Sequence, residues 1–247
     1  MRFVLVFVWF ALTVGCVSAQ STDTEFSLDF DKDEISLAEV QTKCLSGDAK
    51  FCFELGLRHD FGEGLDEDNN KAMLLYAQAC DTDFVPACLE IAAKLRLGDE
   101  TEPDLQQAKD LYSKACDLDD PNGCYFLGGM TMDTDEPDAL QAAALFSKAC
   151  DLELSYACFD AALAKMDETE LLANTTTAFA KTIFSLFKKG CELEDGDSCD
   201  GLSNAFAVGY GTAMNMDLAN KHAASAIELW TIACEQGDDY ACDELKE

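Results

Sequence analysis

The chain has 247 residues, and its formal net charge at pH 7 is −31. A charge of this sign and size repels phosphate groups, so the composition excludes nucleic acid and anionic lipid headgroups as partners. Apolar residues make up 49% of the chain and recur periodically, which excludes a wholly disordered protein and allows a packed core.

The N-terminus has the layout of a cleavable signal peptide. One basic residue, Arg2, precedes a short apolar run, and small residues follow at 17–19. We predict a signal peptide over residues 1–19, a flexible polar segment over 20–31, and a secreted or periplasmic mature protein without a membrane span. Two alternatives stay open. One is an uncleaved anchor, and the other is a lipid attached to Cys16, although the leucine usually found three residues before such a cysteine is missing here.

Twelve of the 13 cysteines form pairs with one internal spacing of eight positions. The first members of the pairs recur after 36, 36, 34, 41 and 43 residues. Periods of this length indicate a solenoid, in which one supersecondary unit is stacked repeatedly. The pairs are Cys44 with Cys52, Cys80 with Cys88, Cys116 with Cys124, Cys150 with Cys158, Cys191 with Cys199, and Cys234 with Cys242.

An even set of regularly spaced cysteines behind a signal peptide is typical of a disulfide framework. Zinc is the competing interpretation, but it favours closer Cys-x-x-Cys spacing and often histidine. The only histidines, His59 and His222, are remote in sequence from any cysteine cluster. We therefore predict structural disulfides, no metal site and no cofactor.

Each cysteine pair lies between two segments with helical periodicity. A large apolar residue precedes the first cysteine by four positions, and a small residue usually precedes it by eight, which places all three on one helix face. The second cysteine begins another apolar-periodic segment, and Asp104 and Asp138 stand where an N-cap is expected. The fold class is therefore all-α, an αα-hairpin solenoid of about six helix pairs over residues 32–247. We expect the longer fourth and fifth spacings to enlarge loops near 167–177 and 208–217.

Two recurring strings carry a family resemblance. Lys-Ala-Cys-Asp-Leu at 114–118 is followed by Gly-Cys-Tyr-Phe-Leu-Gly at 123–128, and an Asp-x-x-x-Ala-x-x-x-aromatic-x-x-Ala-Cys string occurs at 68–80, 104–116 and 138–150. The pattern resembles the Sel1-like repeat, and a cysteine pair in every unit is similar to its secreted branch, the Helicobacter cysteine-rich proteins. The resemblance implies a TPR-like right-handed superhelix, one disulfide within each cysteine pair, and protein or ligand binding on the concave side.

The same resemblance implies a possible activity, because some of these proteins are described as weak penicillin binders or β-lactamases. Ser185-Leu-Phe-Lys188 fits a Ser-x-x-Lys element, but no Lys-Thr-Gly accompanies it, since Lys181-Thr182 is followed by Ile183. We interpret Ser185 and Lys188 as ordinary helix residues and predict no catalytic residue. A β-lactam or peptidoglycan-amide hydrolase remains the alternative function.

The short helix of the third unit, residues 124–132, is apolar nearly all round. Phe126 and Met130 fall away from the cysteine face, where other units carry charged residues, so we predict that they are exposed anchors for a partner. The alternative is that they pack against the neighbouring unit. The expected partner is a protein or peptide, which could be basic, or a cell-wall-related ligand. A sequon at Asn174 leaves open an adaptor role in a eukaryotic secretory compartment.

Overall fold

A computed structural model describes residues 35–98, 102–134, 137–172 and 177–246. The predicted signal peptide, the polar segment at 20–31, Cys16 and Asn174 lie outside the described residues. One compact unit contains the helices from Leu37 onward.

In the part of the chain that the structure describes, all regular structure is helical, and each helix packs against the next one along the chain. The all-α prediction of repeated helix pairs is therefore confirmed. The helices of these residues are α1 (Leu37–Leu45), α2 (Ala49–Asp60), α3 (Asn69–Cys80), α4 (Val85–Leu97), α5 (Leu105–Asp117), α6 (Pro121–Met132), α7 (Ala139–Asp151), α8 (Ser155–Leu172), α9 (Thr177–Glu192), α10 (Gly196–Val208), α11 (Met216–Glu235) and α12 (Asp239–Glu244).

Aspartate side chains begin many of these helices. Asp104 accepts a hydrogen bond from the backbone N–H of Gln107 at 3.0 Å, and Asp138 accepts one from Gln141 at 2.9 Å. Both N-caps confirm the sequence prediction, and each such cap contributes about 1 kcal/mol to helix stability. Further Asp caps precede α2, α3, α6, α10 and α12.

A disulfide closes the turn within every helix pair. Each bond joins the end of an odd-numbered helix to the start of the next helix, with Cα–Cα distances from 4.5 to 4.8 Å. All six bonds therefore lie within the pairs that the spacing defines. They join Cys44 to Cys52, Cys80 to Cys88, Cys116 to Cys124, Cys150 to Cys158, Cys191 to Cys199, and Cys234 to Cys242.

The closed turns share one backbone conformation. The residue three positions after the first cysteine has a positive φ in all six turns, between 59° and 98°. This left-handed conformation reverses the chain between the two helices and favours glycine, but four of the turns use an acidic residue instead. The six residues are Gly47, Asp83, Asp119, Glu153, Glu194 and Gly237.

The core lies between successive helices of the stack and uses the predicted register. The alanines eight positions before the first cysteine are buried, whereas Ser36 of the first unit is exposed, and Ile183 occupies the same position in the fifth unit with no exposed surface. The large residues four positions before that cysteine are buried from the first to the fifth unit. They are Val40, Tyr76, Tyr112, Phe146 and Phe187.

Glycines in the even-numbered helices make room for these large side chains. A Cβ atom added to Gly128 would lie 2.7 Å from Cε1 of Phe146, and one added to Gly56 would lie 2.5 Å from Cε1 of Tyr76. Contacts this short do not occur between real side chains, so the backbone approaches the ring closely only because no Cβ is present.

The two longer repeats depart from the loop prediction. Residues 167–172 continue α8. The last odd-numbered helix, α11, begins at Met216 and has 20 residues, whereas α5 has 13. Much of the additional sequence therefore extends helices instead of enlarging loops. The physical reason in α8 is composition, because residues 167–172 include glutamate and leucine and contain neither proline nor glycine.

Candidate binding surfaces

Two neighbouring even-numbered helices carry matching stripes of side chains. On α8, Phe159, Leu163 and Met166 follow one another at spacings of three and four residues, so they share a helix face. On α10, Asp200, Asn204 and Val208 are spaced by four. The two stripes line a cleft of about 390 Å³, which we call the α8–α10 cleft.

The end of the cleft nearest the helix C-termini is apolar and open to solvent. Leu163 and Met166 are each 41% exposed, and Val208 is 72% exposed. Gly201 lies deeper, where a Cβ atom would be 2.7 Å from the ring of Phe187. Three exposed apolar side chains therefore line one concave surface of the protein.

Asp200 lines the cleft near the start of α10, and Asp160 follows Phe159 near the start of α8. Asp160 accepts a hydrogen bond from the hydroxyl of Tyr125 at 2.8 Å, and Asp200 accepts one from Nδ2 of Asn204 at 2.8 Å. Burial raises the pKa of both carboxyl groups, and the hydrogen bonds from Tyr125 and Asn204 act in the opposite direction.

Two further carboxyl groups adjoin this region at the start of α10. Asp195 caps the helix through the backbone N–H of Ser198 at 2.8 Å, and Asp197 accepts a hydrogen bond from Nε1 of Trp230 at 3.0 Å. Burial is the main cause that raises the pKa of Asp197 to about 6, and the negative charge of Asp195 adds to it. We call Asp160, Asp195, Asp197 and Asp200 the acidic cluster.

The structure corrects the prediction that Met130 is an exposed anchor. Its side chain is only 7% exposed and lies in a core cluster with Ala92, Ala108 and Tyr112. Phe126 is half-buried against the same cluster, with its ring centroid 5.3 Å from that of Tyr112. The apolar helix α6 thus fills the space between repeats, which was the alternative interpretation.

Phe126 and Met130 nevertheless border a second cleft of about 280 Å³. Arg96 and Lys109 line the same cleft, and Asp133 lies at its edge. A role for Phe126 in partner binding stays a prediction.

The fold brings one histidine to a disulfide that the sequence does not connect with it. Nδ1 of His222 lies 3.7 Å from Sγ of Cys191, and its ring stacks on Phe206 with centroids 5.7 Å apart. Burial lowers the pKa of His222, and the nearby Lys221 lowers it further. These residues line a cleft of about 490 Å³ between α9, α10 and α11.

The disulfides differ in their relation to these clefts. Cys191 and Cys199 line the cleft beside His222. In contrast, Cys88, Cys158 and Cys242 line none of the three clefts described above. Cys88 and Cys158 have no exposed surface, whereas Cys242 in the short helix α12 is partly exposed. These three cysteines close the turns of their repeats.

The serine and lysine of the Ser-x-x-Lys match have the contacts of surface helix residues. Ser185 is exposed, and its hydroxyl donates to the carbonyl oxygen of Thr182 at 2.6 Å. Nζ of Lys188 lies 3.6 Å from a carboxylate oxygen of Glu192 on the next turn.

Leu163, Met166 and Val208 were not predicted from the sequence, although a signal for them was present. Helix α8 carries apolar residues on several sides, as α6 does. Whether an apolar residue of such a helix is buried depends on the neighbouring helix, and here Gly201 and Asn204 of α10 line the same cleft as the exposed Leu163. Within the described residues, no helix combines the length and apolarity needed to cross a bilayer.

Stacked disulfide-closed helix pairs with an open cleft define a helical-repeat scaffold. A family model described as the Sel1 repeat matches residues 49–82, 85–120, 121–154 and 219–238, which together are half of the chain. The chain belongs to the Sel1 repeat family, as its repeated strings predict. No curated protein sequence shows significant similarity to it.

Solved structures of low sequence identity share the fold. A Sel1 repeat protein from Oxalobacter formigenes is 16% identical with a TM-score of 0.66, and the match covers 77% of each chain. The protein c5321, a protective antigen of uropathogenic Escherichia coli with an SLR fold, is 19% identical with a TM-score of 0.63. That match covers 84% of this chain but only 42% of c5321. A further match, Helicobacter pylori cysteine rich protein B, is 23% identical over 72% of this chain and 96% of its own, with a TM-score of 0.28.

Proposed function

We propose that this chain is a secreted or periplasmic scaffold that binds a protein or peptide in the α8–α10 cleft. The observation that carries the proposal is the exposure of Leu163, Met166 and Val208 around one concavity. Sel1 repeats are typical of protein–protein interaction, and a helical-repeat array offers a stable frame for such a site. Function belongs to the site and not to the fold alone, so the cleft is the part to test.

The proposed location is supported by the disulfides. Six bonds within one chain persist in oxidising compartments and are rare in a reducing cytosol. The location and the processing are tested together by the intact mass of protein purified from its native cells. The expected mature chain begins at Gln20 and contains no free thiol. A chain that retains residues 1–19, or that carries a lipid on Cys16, would contradict this part of the proposal.

Site-specific photo-crosslinking tests the binding face. A photoreactive amino acid replaces Leu163, and a matched variant carries it at Leu140, which is 62% exposed on the odd-numbered helix α7. Both variants are expressed in the native cells, and the cells are irradiated. The cross-linked polypeptides are then identified by mass spectrometry. We expect a defined partner from position 163 and none from position 140. Equal cross-linking at the two positions, or none at either, would contradict a partner-binding cleft.

A further inference from the structure

We propose that the α8–α10 cleft selects a basic segment of its partner, with one large apolar side chain in the cleft and a lysine or arginine on the acidic cluster. This inference rests on the proposed function and specifies the chemistry of the ligand. It commits to a cationic peptide segment, so a second copy of this acidic chain is not the expected occupant.

The order of side chains along α8 and α10 carries the inference. On α8 the acidic Asp160 comes first, and the apolar Leu163 and Met166 follow toward the C-terminus. On α10 the order is the same, with Asp197 and Asp200 before Val208. The carboxyl groups therefore lie toward the start of both helices, where Asp200 lines the cleft beside Phe159, and the exposed apolar side chains lie toward the helix C-termini.

The helix rise sets the spacing that a ligand must match. At about 1.5 Å per residue, Asp160 and Leu163 are about 4.5 Å apart along the axis, and Asp200 and Val208 about 12 Å. An extended peptide advances about 3.3 Å per residue. Two or three residues of an extended peptide span about 6.6 to 9.9 Å, which lies between the two axial distances along α8 and α10. The cationic residue of the ligand is therefore expected two or three positions from its apolar residue.

The partners of the acidic cluster explain the preference for a cation. Its carboxyl groups accept hydrogen bonds from neutral donors such as the Tyr125 hydroxyl, the Asn204 amide and the Trp230 indole. A guanidinium or ammonium group of the ligand would bring a positive charge and hydrogen-bond donors to these carboxyl groups. Charge-assisted hydrogen bonds would then replace the hydration that the carboxyl groups lose on burial. The net charge of −31 adds a long-range field that speeds the encounter with a basic segment and repels an acidic one.

The exposed apolar side chains require a second feature in the ligand. A purely cationic segment would leave Leu163 and Val208 in contact with water and would bind no more tightly than it does elsewhere on this acidic surface. One leucine, methionine or phenylalanine in the ligand would bury them and supply most of the affinity.

A peptide array measures both requirements. Each labelled nonapeptide has a glycine–serine background, a central Leu or Ser, and one Arg or Glu placed one to four positions away on either side. The purified, oxidised protein is applied at physiological salt, and dissociation constants of the strongest peptides are measured by fluorescence anisotropy. We expect binding only when Leu and Arg occur together, with the tightest binding at a separation of two or three. Equal binding of the Glu peptides, or no dependence on the central Leu, would overturn the proposal.

Matched protein variants place the binding in the cleft. Asp160→Asn with Asp200→Asn keeps acceptors for Tyr125 and Asn204, and it is expected to weaken the best peptide at least tenfold. Leu163→Ser is expected to weaken it at least fivefold. The controls are Leu140→Ser and the exposed Asp81→Asn, which are expected to bind like the unchanged protein. Circular dichroism checks that every variant has the same helix content, and unchanged affinity in the cleft variants would refute the site.

The two proposals fail in different ways. A partner that cross-links at position 163 while the array shows no preference for Arg would keep the scaffold function and refute the basic ligand. Cross-linking that fails at position 163 while the array selects Leu–Arg peptides would refute the proposed function in those cells and retain the chemical preference. If sedimentation shows that Leu163→Ser converts a dimer into a monomer, a second copy occupies the cleft and the basic-segment proposal is wrong.

Discussion

The Nζ atom of Lys114 lies 2.6 Å from the carbonyl oxygen of Cys80, at the C-terminus of the preceding odd-numbered helix. The same ammonium group is 2.9 Å from Oδ1 of Asp83, in the positive-φ turn of that repeat. One period later, Lys148 makes the corresponding contact with the carbonyl oxygen of Cys116, also at 2.6 Å. A lysine two positions before the first cysteine thus caps the helix of the previous unit, where the C-terminal carbonyl groups favour a positive charge.

Removing this cap tests its contribution to the coupling of repeats. Lys114→Met keeps most of the apolar stem and leaves the Cys80 carbonyl without its cation. We expect the free energy of unfolding to fall by about 1 kcal/mol, because a hydrogen bond to a charged group is worth somewhat more than this when buried and Lys114 is partly exposed. Urea unfolding followed by circular dichroism measures the change.

The control is Lys181→Met, at an exposed position on α9. It removes the same charge from the chain, so it corrects for the overall effect of the net charge. A loss of stability in Lys114→Met no larger than that in Lys181→Met would mean that the cap contributes nothing.

Adjacent glycines in α6 provide a second test with an internal control. Gly128→Ala places a Cβ atom 2.7 Å from the Phe146 ring, whereas a Cβ at Gly129 meets nothing within 4 Å. Overpacking costs about 1–3 kcal/mol, and alanine in a helix is favoured over glycine by up to about 1 kcal/mol. We therefore expect Gly128→Ala to lower the melting temperature and Gly129→Ala to leave it unchanged or raise it.

The smaller side chain of Phe146→Leu should restore part of the stability of Gly128→Ala. Absence of this rescue would contradict the steric explanation. A melting temperature lowered equally by the two alanine substitutions would contradict it as well.

The disulfides are expected to contribute unequally, because a solenoid is stabilised repeat by repeat. Replacing Cys116 and Cys124 by alanine removes the constraint on a short loop, which is worth about 2–3 kcal/mol in the chain-entropy model. In this central unit we expect faster amide exchange in the neighbouring helices on both sides. The same change at Cys44 and Cys52 is expected to open only α1 and α2.

Hydrogen exchange with mass spectrometry distinguishes these patterns, and non-reducing peptide mapping verifies that the other bonds are intact. If both double variants lost protection along the whole chain, the array would unfold as one cooperative unit and the local description would be wrong.

The repeat unit could be predicted from sequence because its signals are local. The positions of Ala108, Tyr112 and Cys116 within one segment indicate a helix face, and their recurrence indicates stacking. The extended α11 was missed because additional residues between two known helices can form either a loop or further helical turns. Composition alone distinguishes these outcomes weakly.

The candidate site could not be predicted in the same way. Leu163 and Val208 meet at one cleft although 45 positions separate them in the numbering. Met130 was expected at the surface because it falls away from the cysteine face of its helix, where other units carry charged residues, but it packs with Tyr112 and Ala92 from two other helices. Such contacts depend on the distance between helices, and side-chain sizes in several repeats determine that distance together.

Asp197 makes the stability of the protein depend on pH with a defined sign. Its folded-state pKa of about 6 lies above the value of about 3.9 expected in the unfolded chain, because burial and Asp195 disfavour the charged form. The folded state therefore holds the proton more tightly, and ionisation of Asp197 reduces stability as the pH rises from about 4 to about 6. The full penalty is present at pH 7.

Asp197→Asn should remove this penalty while keeping an acceptor for the indole N–H of Trp230. A pKa difference of about two corresponds to about 2.7 kcal/mol, and the partial exposure of Asp197 reduces the expected gain at pH 7 to about 1 kcal/mol. At pH 4 the variant and the unchanged protein should unfold at the same urea concentration. The exposed Asp81→Asn controls for the loss of one negative charge. A gain that is equal at pH 4 and pH 7, or equal in both variants, would show that the buried ionisation of Asp197 is not its cause.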